Sequence, residues 1–366
     1  MSESDRHLAP EGASRGRTIS DEEVLDTEFV PPELNHRDDA IDDLMRAFDP
    51  TLRGRAAQTA IITGPPGAGK TCVAQYAPEI ARRELGADLA YHRVDCWKNS
   101  KRLSALQRVV EGFGDVGELY SRSNGVDPLL QRIDDYSGTH LVVILDDVDR
   151  LEDHDLLHDL HQASNVSMVL IAADESDLFD SFSDRLRSRL QVSKPVRLRS
   201  YRTDELVSIL KDRVRWGLDE DAIDEAELEQ IANAAAGDAR SAIEILRWAA
   251  EITERVNQPK ITSKTVEKSI PPEEYGPRNR YAAQLSGHRR TLYEIVREHT
   301  TITPSDLYSA YRERVDDPRS RRTVRRHLSN LQQRELVVKE GKNRGTSYRL
   351  PDGETCGWMD QTTLTE

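Results

Sequence analysis

The fold of this chain is decided by AIITGPPGAGKT, residues 60–71. Residues 60–63 form a short apolar run that predicts a strand, and a helical pattern begins at Lys70. The segment 64–71 matches GxxxxGK[ST] throughout. Its glycines let backbone N–H groups turn inward around phosphate oxygens, and the helix N-terminus adds partial positive charge. A chance glycine turn is the alternative, but the strand–loop–helix context favours a phosphate-binding loop.

The loop predicts a nucleotide cofactor, ATP or ADP, together with Mg²⁺. Lys70 has the reach to contact the β- and γ-phosphates, and the Thr71 hydroxyl is a ligand for Mg²⁺. The predicted nucleotide-binding residues of the loop are Gly64, Pro65, Pro66, Gly67, Ala68, Gly69, Lys70, Thr71 and Cys72.

Two aspartates end a second apolar run farther along the chain. Leu141–Leu145 has the continuous apolar pattern of a buried parallel strand, and Asp146 and Asp147 follow it. An acid at the carboxyl end of such a strand lies beside the phosphate-binding loop. There Asp146 would hold the Mg²⁺ shell, and Asp147 would orient or activate the attacking water. The alternative is a pair of helix N-cap residues.

Strands and helices alternate through the first half of the chain, which predicts a doubly wound α/β domain with a parallel sheet. Helical patterns alone fill the next segment, and three helices followed by two short strands end the chain. The predicted division is a mobile polar tail at 1–26, a nucleotide-binding α/β base at 27–200, an all-α domain at 201–270, a linker at 271–280, a helix-and-hairpin domain at 281–352 and a second tail at 353–366.

Charge is distributed unevenly along the 366 residues. The formal net charge is −14, with 41 Arg but 10 Lys. An acidic, lysine-poor composition is typical of adaptation to high salt, and an ordinary acidic cytosolic protein is the alternative. Residues 281–351 hold 15 basic and 8 acidic side chains, a local net charge of +7, so the rest of the chain carries −21. The basic segment therefore indicates a polyanionic partner.

Five of these 15 basic side chains lie on one predicted helix. Residues 319–331 read RSRRTVRRHLSNL, and with Val324, Leu328 and Leu331 facing inward the arginines would project into a DNA groove. A helix with a basic hairpin docks on DNA mostly through phosphates, whereas the alternative is a protein-interaction domain with a solvated arginine face. The predicted DNA-binding residues are Arg321, Arg322, Arg325, Arg326, Lys342 and Arg344.

Cysteine usage and hydropathy predict the compartment. Cys72, Cys96 and Cys356 are far apart and lack metal-ligand spacing, which favours a reducing compartment over a disulfide framework. No apolar run approaches the ~18 residues that cross a bilayer, and the N-terminus lacks the apolar core of a signal peptide. We expect an intracellular, soluble protein that is cytoplasmic and nucleoid-associated and has no membrane partner.

Taken together, these motifs resemble the AAA+ ATPase core. In detail they are similar to the archaeal replication initiators related to origin recognition complex subunit one and cell division control protein six. The similar segments are a (Y/F)xPxxLxxR stretch at 29–37, the phosphate-binding loop, LVVILDDVD at 141–149, DRLRSRL at 184–190 and GDAR at 237–240. The resemblance covers residues 27–351 and implies an AAA+ base, an all-α lid and a C-terminal winged-helix domain.

The resemblance also implies roles for single residues. His36 and Arg37 would lie near the adenine. Arg185 would be an arginine finger and Arg240 a second sensor, each placing positive charge near the γ-phosphate. Without the resemblance, Arg185 is a solvated residue and Arg240 a helix-surface residue. Residues 97–125 fall where the family inserts a helical element that touches DNA, and a plain surface insertion is the alternative.

Two departures from the family pattern concern hydrolysis. The acidic pair is usually Asp-Glu, whereas Asp147 is one methylene shorter, which would misplace its carboxylate relative to the attacking water. The following strand usually ends in an Asn that senses the γ-phosphate, and Ala173 stands there without a hydrogen-bonding side chain. We therefore expect retained ATP binding with slow or absent hydrolysis, which leaves open whether the protein is an enzyme.

Three functions are compatible with these residues. The first is an ATP-switched initiator that recognises double-stranded origin DNA and works with a replicative helicase or initiator paralogues. The second is an AAA+ DNA motor of the branch-migration type, which needs the standard acidic pair and first sensor. The third is a DNA-binding regulator that binds ATP without hydrolysing it. We take the first as the working hypothesis.

Overall fold

The structure is a computed structural model that describes residues 18–50, 57–86, 89–113, 125–136, 140–163, 165–219, 221–271, 282, 285, 287–316, 318–333, 336–341 and 346–351. The chain divides into two compact units, residues 1–270 and residues 271–366. The predicted linker and both ends of the chain lie almost wholly outside the described residues.

A five-stranded parallel sheet forms the centre of the first unit. Its order is β2-β3-β4-β1-β5, so the strand that leads into the phosphate-binding loop lies between two strands that come later in the sequence. The doubly wound α/β prediction is thereby confirmed. The strands are β1 Ala60–Thr63, β2 Leu89–Asp95, β3 His140–Asp146, β4 Val166–Ala172 and β5 Lys194–Arg197.

Helices cover both faces of the sheet, and the alternation of side chains along β3 sorts the core into two layers. Val143 and Leu145 join one apolar cluster with α3 to α7, whereas Val142 and Ile144 join another with α1 and α2. The helices of this layer structure are α1 Asp38–Phe48, α2 Lys70–Leu85, α3 Arg102–Glu111, α4 Val126–Asp134, α5 Asp155–Gln162, α6 Glu175–Ser181 and α7 Asp184–Leu190.

Four helices follow β5 and pack as a separate all-α lid within the first unit. They enclose their own apolar cluster, to which every lid helix contributes buried Leu, Ile, Val or Ala side chains. The lid helices are α8 Thr203–Gly217, α9 Glu225–Ala235, α10 Ala239–Arg255 and α11 Ser263–Ser269.

Residues 18–29, which we call the strap, are folded against this lid. Ile19 pairs with Leu218 in an antiparallel bridge, and Leu25 is 1% exposed within the lid cluster. The guanidinium of Arg213, on α8, donates to the carbonyls of Val24 (2.5 Å) and Phe29 (3.0 Å). The predicted mobile tail at 1–26 is therefore wrong for residues 18–26, because three apolar side chains among polar ones suffice to anchor them; residues 1–17 lie outside the described residues.

The stretch from 97 to 125 contains a helix, α3, whose bounds its weak sequence pattern did not reveal. In α3, Ala105, Leu106, Val109 and Val110 are fully buried against the sheet. The spacing of these four residues is helical, but their polar neighbours are so numerous that the short apolar stripe was not evident. Residues 114–124 lie outside the described part of the chain.

The described part of the second unit contains three helices and a short antiparallel strand pair. Tyr348, in the last strand, also bridges to Ile302, just before the second helix, through two backbone hydrogen bonds of 2.8 and 2.9 Å. Val324, Leu328 and Leu331 face the core, as predicted from their spacing. The elements are α12 Gly287–Arg297, α13 Pro304–Arg314, α14 Arg321–Gln333, β6 Val338–Glu340 and β7 Ser347–Arg349.

Among the residues that the structure describes, no helix is both long enough and apolar enough to cross a membrane.

The strap gives a first testable prediction. Replacing Arg213 with Met keeps the apolar stem but leaves buried carbonyls of the strap without donors, so we expect about 2–3 kcal/mol loss of stability. The measurement is urea unfolding followed by intrinsic tryptophan fluorescence, to which Trp216 on the same helix contributes. The exposed Arg215→Met serves as the matched control. Equal losses in the two variants would contradict the anchoring role of Arg213.

Candidate functional site

The phosphate-binding loop adopts the backbone conformation that its glycines permit. Gly64, Gly67 and Gly69 have φ values of +155°, +64° and +85°, in the region that side-chain-bearing residues rarely adopt. The loop ends at the N-terminus of α2, and the Lys70 Nζ donates to the carbonyls of Gly64 and Pro65, both at 2.9 Å. The ammonium group is therefore held over the loop, where an anionic phosphate would meet it.

Thr71 and Asp146 meet at the carboxyl edge of the sheet. The hydroxyl of Thr71 donates to the Asp146 carboxylate at 2.9 Å, although 75 positions separate the two residues. Both supply hard oxygen ligands, and Mg²⁺ in nucleotide sites is held by one or two such groups together with phosphates. The pair therefore fits the predicted metal, and the structure describes no cluster of three or more His, Cys, Asp or Glu that would hold one elsewhere.

Arg93 is a member of this site that the sequence reasoning missed. It lies on β2, next to β3, and its guanidinium donates to the same Asp146 oxygen at 2.9 Å and 2.8 Å. A third donor reaches Glu28, in the strap, at 2.5 Å. Burial would lower the pKa of Arg93, but the two carboxylates outweigh burial and raise it. The strand register Arg93↔Ile144 places it within reach, and this pairing cannot be obtained from a motif.

Asp147 follows Asp146 in a left-handed backbone conformation, with φ of +54°. Partial removal from water raises the pKa of its carboxyl group, and the neighbouring carboxylates of Asp146 and Asp149 raise it further, while Lys70 opposes them. The side chain therefore lies in the electric field of Lys70 and of Asp146, which together with Thr71 is predicted to hold Mg²⁺. Its role as the residue that orients the attacking water remains a prediction.

Ala173 comes directly after β4, whose last residue, Ala172, pairs with Thr63 at the start of the loop. The position is therefore beside the phosphate-binding loop, as a first sensor requires. The next side chain, Asp174, accepts hydrogen bonds from the backbone of Ser176 at 2.9 Å and so caps α6.

Arg37 is buried beneath the loop. Its guanidinium donates to the carbonyls of Ala68 (2.9 Å), Arg199 (2.9 Å) and His36 (3.0 Å), and it stacks over the Tyr201 ring at 3.6 Å. Burial lowers the pKa of Arg37 and raises that of Tyr201 to about 12. Arg37 thus ties the loop to the segment between β5 and α8. His36 is exposed, and the adenine contacts predicted for both residues remain predictions.

The lid closes directly on the loop. The backbone N–H of Ala239, at the start of α10, donates to the carbonyl of Gly67 at 3.1 Å, and Asp238 caps the same helix by accepting from the Ser241 N–H at 3.0 Å. Gly237 accepts from the Tyr201 N–H at 3.1 Å. Arg240, the second residue of α10, has an exposed side chain and follows Ala239, which contacts the loop.

Arg185 occupies a different position, in the first turn of α7, and is exposed. Its neighbours on this helix are engaged within the base, because Arg187 donates to the carbonyl of Phe179 and Arg189 contacts His158. Cys72 is half-buried, and burial raises the pKa of its thiol to about 11. Neither residue joins the group formed by Lys70 and Asp146.

The second unit carries the predicted nucleic-acid contacts. Arg321, Arg322, Arg325 and Arg326 are all exposed along α14, whereas Val324 is buried. The guanidinium of Arg321 stacks over Tyr308 at 4.8 Å, which holds it at the helix start. Lys342 and Arg344 lie outside the described residues.

The contact between loop and lid yields a second prediction. A Cβ on Gly67 would overlap Asp238, whose Cα would be 2.9 Å away, whereas a Cβ on Gly86 would meet nothing within 4 Å. The two glycines have nearly the same φ, +64° and +61°, so Gly86→Ala reports backbone strain alone. We expect Gly67→Ala to weaken ATP binding at least tenfold, measured by calorimetry, because the loop and lid must separate. Equal affinities in the two variants would contradict this coupling.

Comparison with known proteins agrees with this geometry. Residues 53–178 match the family model of the AAA domain, and residues 207–270 match that of the Cdc6 AAA+ ATPase-type lid domain. An ORC1-type DNA replication protein from Halobacterium salinarum is 40% identical over 335 residues, which cover 91% of this chain and 94% of that protein.

Two solved structures share the fold. One is the Aeropyrum pernix ORC2 protein with ADPNP and ADP, at a TM-score of 0.66 and 22% identity, covering 91% of this chain and 94% of the other. The other is the ORC1 protein of the same organism in complex with DNA, at 0.61 and 23%, covering 92% and 94%. With a P-loop base, a Cdc6-type lid and 40% identity along most of its length, the chain belongs to the ORC1-type DNA replication proteins.

Proposed function

We propose that this chain is a DNA replication initiator that binds ATP as a switch and contacts duplex origin DNA through its C-terminal unit. The observation that carries the proposal is the identity of 40% to an ORC1-type DNA replication protein across 91% of the chain. The relative comes from Halobacterium salinarum, and the acidic, lysine-poor composition is in keeping with a halophilic source.

Nucleotide binding rests on the phosphate loop and its partners. Lys70 would neutralise phosphate charge, and Thr71 with Asp146 would hold Mg²⁺, which supplies charge neutralisation at the phosphates when bound. Arg240 would extend from the start of α10 to the γ-phosphate, beside the Ala239 N–H that already contacts the loop. Arg185, which is exposed in the first turn of α7, would supply its charge to the site of a second copy or paralogue.

The switch follows from the contacts between lid and loop. Ala239 of the lid contacts Gly67 of the loop. Gly237 of the lid contacts Tyr201, in the segment between β5 and α8. A γ-phosphate that attracted Arg240 would favour one position of the lid, since a ligand shifts a conformational equilibrium by its differential affinity for the two states. ATP and ADP would therefore set different lid positions.

Slow hydrolysis follows from two side chains. Asp147 places its carboxylate one methylene short of the usual glutamate, and Ala173 offers no hydrogen bond beside the loop. A motor must hydrolyse ATP repeatedly, so these two residues disfavour the branch-migration alternative. They leave the non-hydrolysing regulator as the second candidate. The initiator would hydrolyse ATP slowly in a single turnover, whereas the regulator would not hydrolyse it.

For DNA, we propose that the second unit is a winged helix with α14 as its recognition helix. Support comes from its three helices and antiparallel strand pair, from the local net charge of +7 and from the exposed arginines. A groove of about 330 Å³ lies beside α14, with Arg321 and Arg325 together with the hydroxyl-bearing Ser305 and Thr346 in its lining. Such a groove suits a DNA backbone, because arginines and hydroxyls are the usual phosphate contacts.

Specificity would come in part from DNA shape. Phosphate contacts carry no direct sequence information, and deformation of the duplex selects sequences that bend easily.

Further partners that fit an initiator are a replicative helicase and initiator paralogues. The protein would then be located in the cytoplasm, at the nucleoid.

The residues proposed to limit hydrolysis can be restored. We expect Asp147→Glu combined with Ala173→Asn to raise the single-turnover hydrolysis rate at least tenfold, because both groups that position the water return. The measurement is quench-flow or manual quench with radiolabelled ATP, with and without duplex DNA. Lys70→Ala is the control and should lose ATP binding. Rapid, repeated turnover by the unchanged protein with DNA would favour the motor instead, and no hydrolysis at all would favour the regulator.

The DNA interface is tested in the full-length chain. Arg321→Gln with Arg325→Gln should weaken binding to a random-sequence duplex, since two phosphate contacts disappear. The salt dependence should also fall, by about one unit of slope for each lost phosphate contact. Fluorescence anisotropy over a KCl series gives both values. Arg297→Gln, at an exposed arginine on α12, is the control; it removes one charge where the test variant removes two, so an effect half as large there would mean that only net charge matters.

A further inference from the structure

The Asp146 carboxylate already has a cation beside it. Its side chain is 9% exposed, and the three groups that bond to it, the Thr71 hydroxyl and two nitrogens of Arg93, converge on one oxygen. A buried carboxylate without a counter-charge is costly, so Arg93 stabilises the site while Asp146 has no metal to bind.

Arg93 has a second carboxylate within reach. The Glu28 side chain is 56% exposed and lies 2.5 Å from another nitrogen of the same guanidinium. Arg93 therefore lies between two carboxylates. Asp146 is buried and is a predicted Mg²⁺ ligand, whereas Glu28 is exposed and belongs to the strap. A small rotation of the guanidinium would release Asp146 and keep the contact with Glu28.

Glu28 is fixed to the lid by the strap. Arg213, on α8, holds the backbone carbonyls of Val24 and Phe29 on either side of it, and the N–H of Ile19 donates to the Glu254 side chain of α10 at 2.9 Å. The strap thus runs from the lid to the metal side of the base by a route separate from the contact between Ala239 and Gly67.

We propose that Arg93 is a movable counter-ion that bonds to both Asp146 and Glu28 until Asp146 becomes a metal ligand and then pairs with Glu28 alone, so that the strap senses metal binding and passes it to the lid. Arg93 is a positioning residue here, acting through Asp146. The inference rests on the nucleotide site of the proposed function and adds a second connection between that site and the lid.

Electrostatics favours the release of Asp146. A divalent cation held by Thr71 and Asp146 would bring positive charge close to the guanidinium, and like charges repel each other strongly in a partly buried site. Glu28 lowers the cost of moving Arg93 because it offers an anion on the solvent side. Without Glu28, Arg93 would compete more strongly with the metal for Asp146.

The test measures ATP affinity by calorimetry in excess Mg²⁺ and again in EDTA, and compares the ratio of the two dissociation constants. In the unchanged protein, Mg²⁺ should lower the dissociation constant for ATP, and the advantage that Mg²⁺ confers is the ratio of the constant in EDTA to the constant in Mg²⁺. We expect this ratio to be roughly five- to tenfold smaller in Glu28→Gln, a size typical of coupling between sites. Arg93→Gln should increase that advantage. The double variant should behave like Arg93→Gln alone, because Glu28 acts only through Arg93. Glu22→Gln, an exposed acid in the strap, is the matched control.

The outcomes separate this inference from the proposed function. If the unchanged protein binds no ATP in either buffer, the proposed nucleotide switch fails. If it binds ATP and Glu28→Gln has the same ratio as Glu22→Gln, the counter-ion role of Arg93 alone is overturned. Additive effects in the double variant would also overturn it. Because Glu28 is exposed, its variant keeps the test valid even where Arg93→Gln proves unstable.

A second readout follows the strap itself. The N–H groups of Ser20 and Leu25 are hydrogen-bonded to Gly217 and Glu22 in the structure, so their hydrogen exchange reports strap position. We expect their exchange rates to differ between ATP with EDTA and ATP with Mg²⁺ in the unchanged protein and in Glu22→Gln, and to be the same in Glu28→Gln. A difference that persists in Glu28→Gln would mean that the strap responds through another contact.

Discussion

The architecture of the first unit depends on the buried guanidinium of Arg37. It donates to backbone carbonyls from the phosphate loop (Ala68), from the segment between base and lid (Arg199) and from its own turn (His36), and it stacks on Tyr201. An arginine suits this position because its planar, permanently charged fork satisfies several acceptors at once. Since one guanidinium joins the phosphate loop to the segment between base and lid, a movement of either would displace the other.

Arginine recurs wherever this chain must join separated segments. Arg213 holds the strap through two carbonyls, and Arg199 pairs with the buried Glu205 at the start of α8. The side-chain bonds from Arg199 lower the pKa of Glu205 to about 2, so that carboxylate stays charged through the physiological range. A lysine offers fewer donors in a fixed geometry, which gives a structural reason for 41 Arg against 10 Lys beyond the surface chemistry of a high-salt protein.

The two proposed activities are carried by different units and by opposite charge. The first unit gathers carboxylates at the carboxyl edge of its sheet, where Asp146 and Asp147 need cations: Lys70, Arg93 and, in the proposed function, Mg²⁺. The second unit presents arginines that need anions, and the proposed anion is DNA. Each unit has its own apolar core.

The sequence by itself determined the phosphate loop and the strand that ends in Asp146 and is followed by Asp147. It also determined the helix that buries Val324 and exposes four arginines, Arg321, Arg322, Arg325 and Arg326. Each of these is a local pattern, in which glycine geometry or side-chain period carries the information. Tertiary structure alone decided that β1 lies between β4 and β5, that residues 18–26 pack on the lid and that Arg93 meets Asp146. The physical reason is that strand order, docking of short apolar residues and pairing of distant charges depend on contacts far apart in sequence, which no local period records.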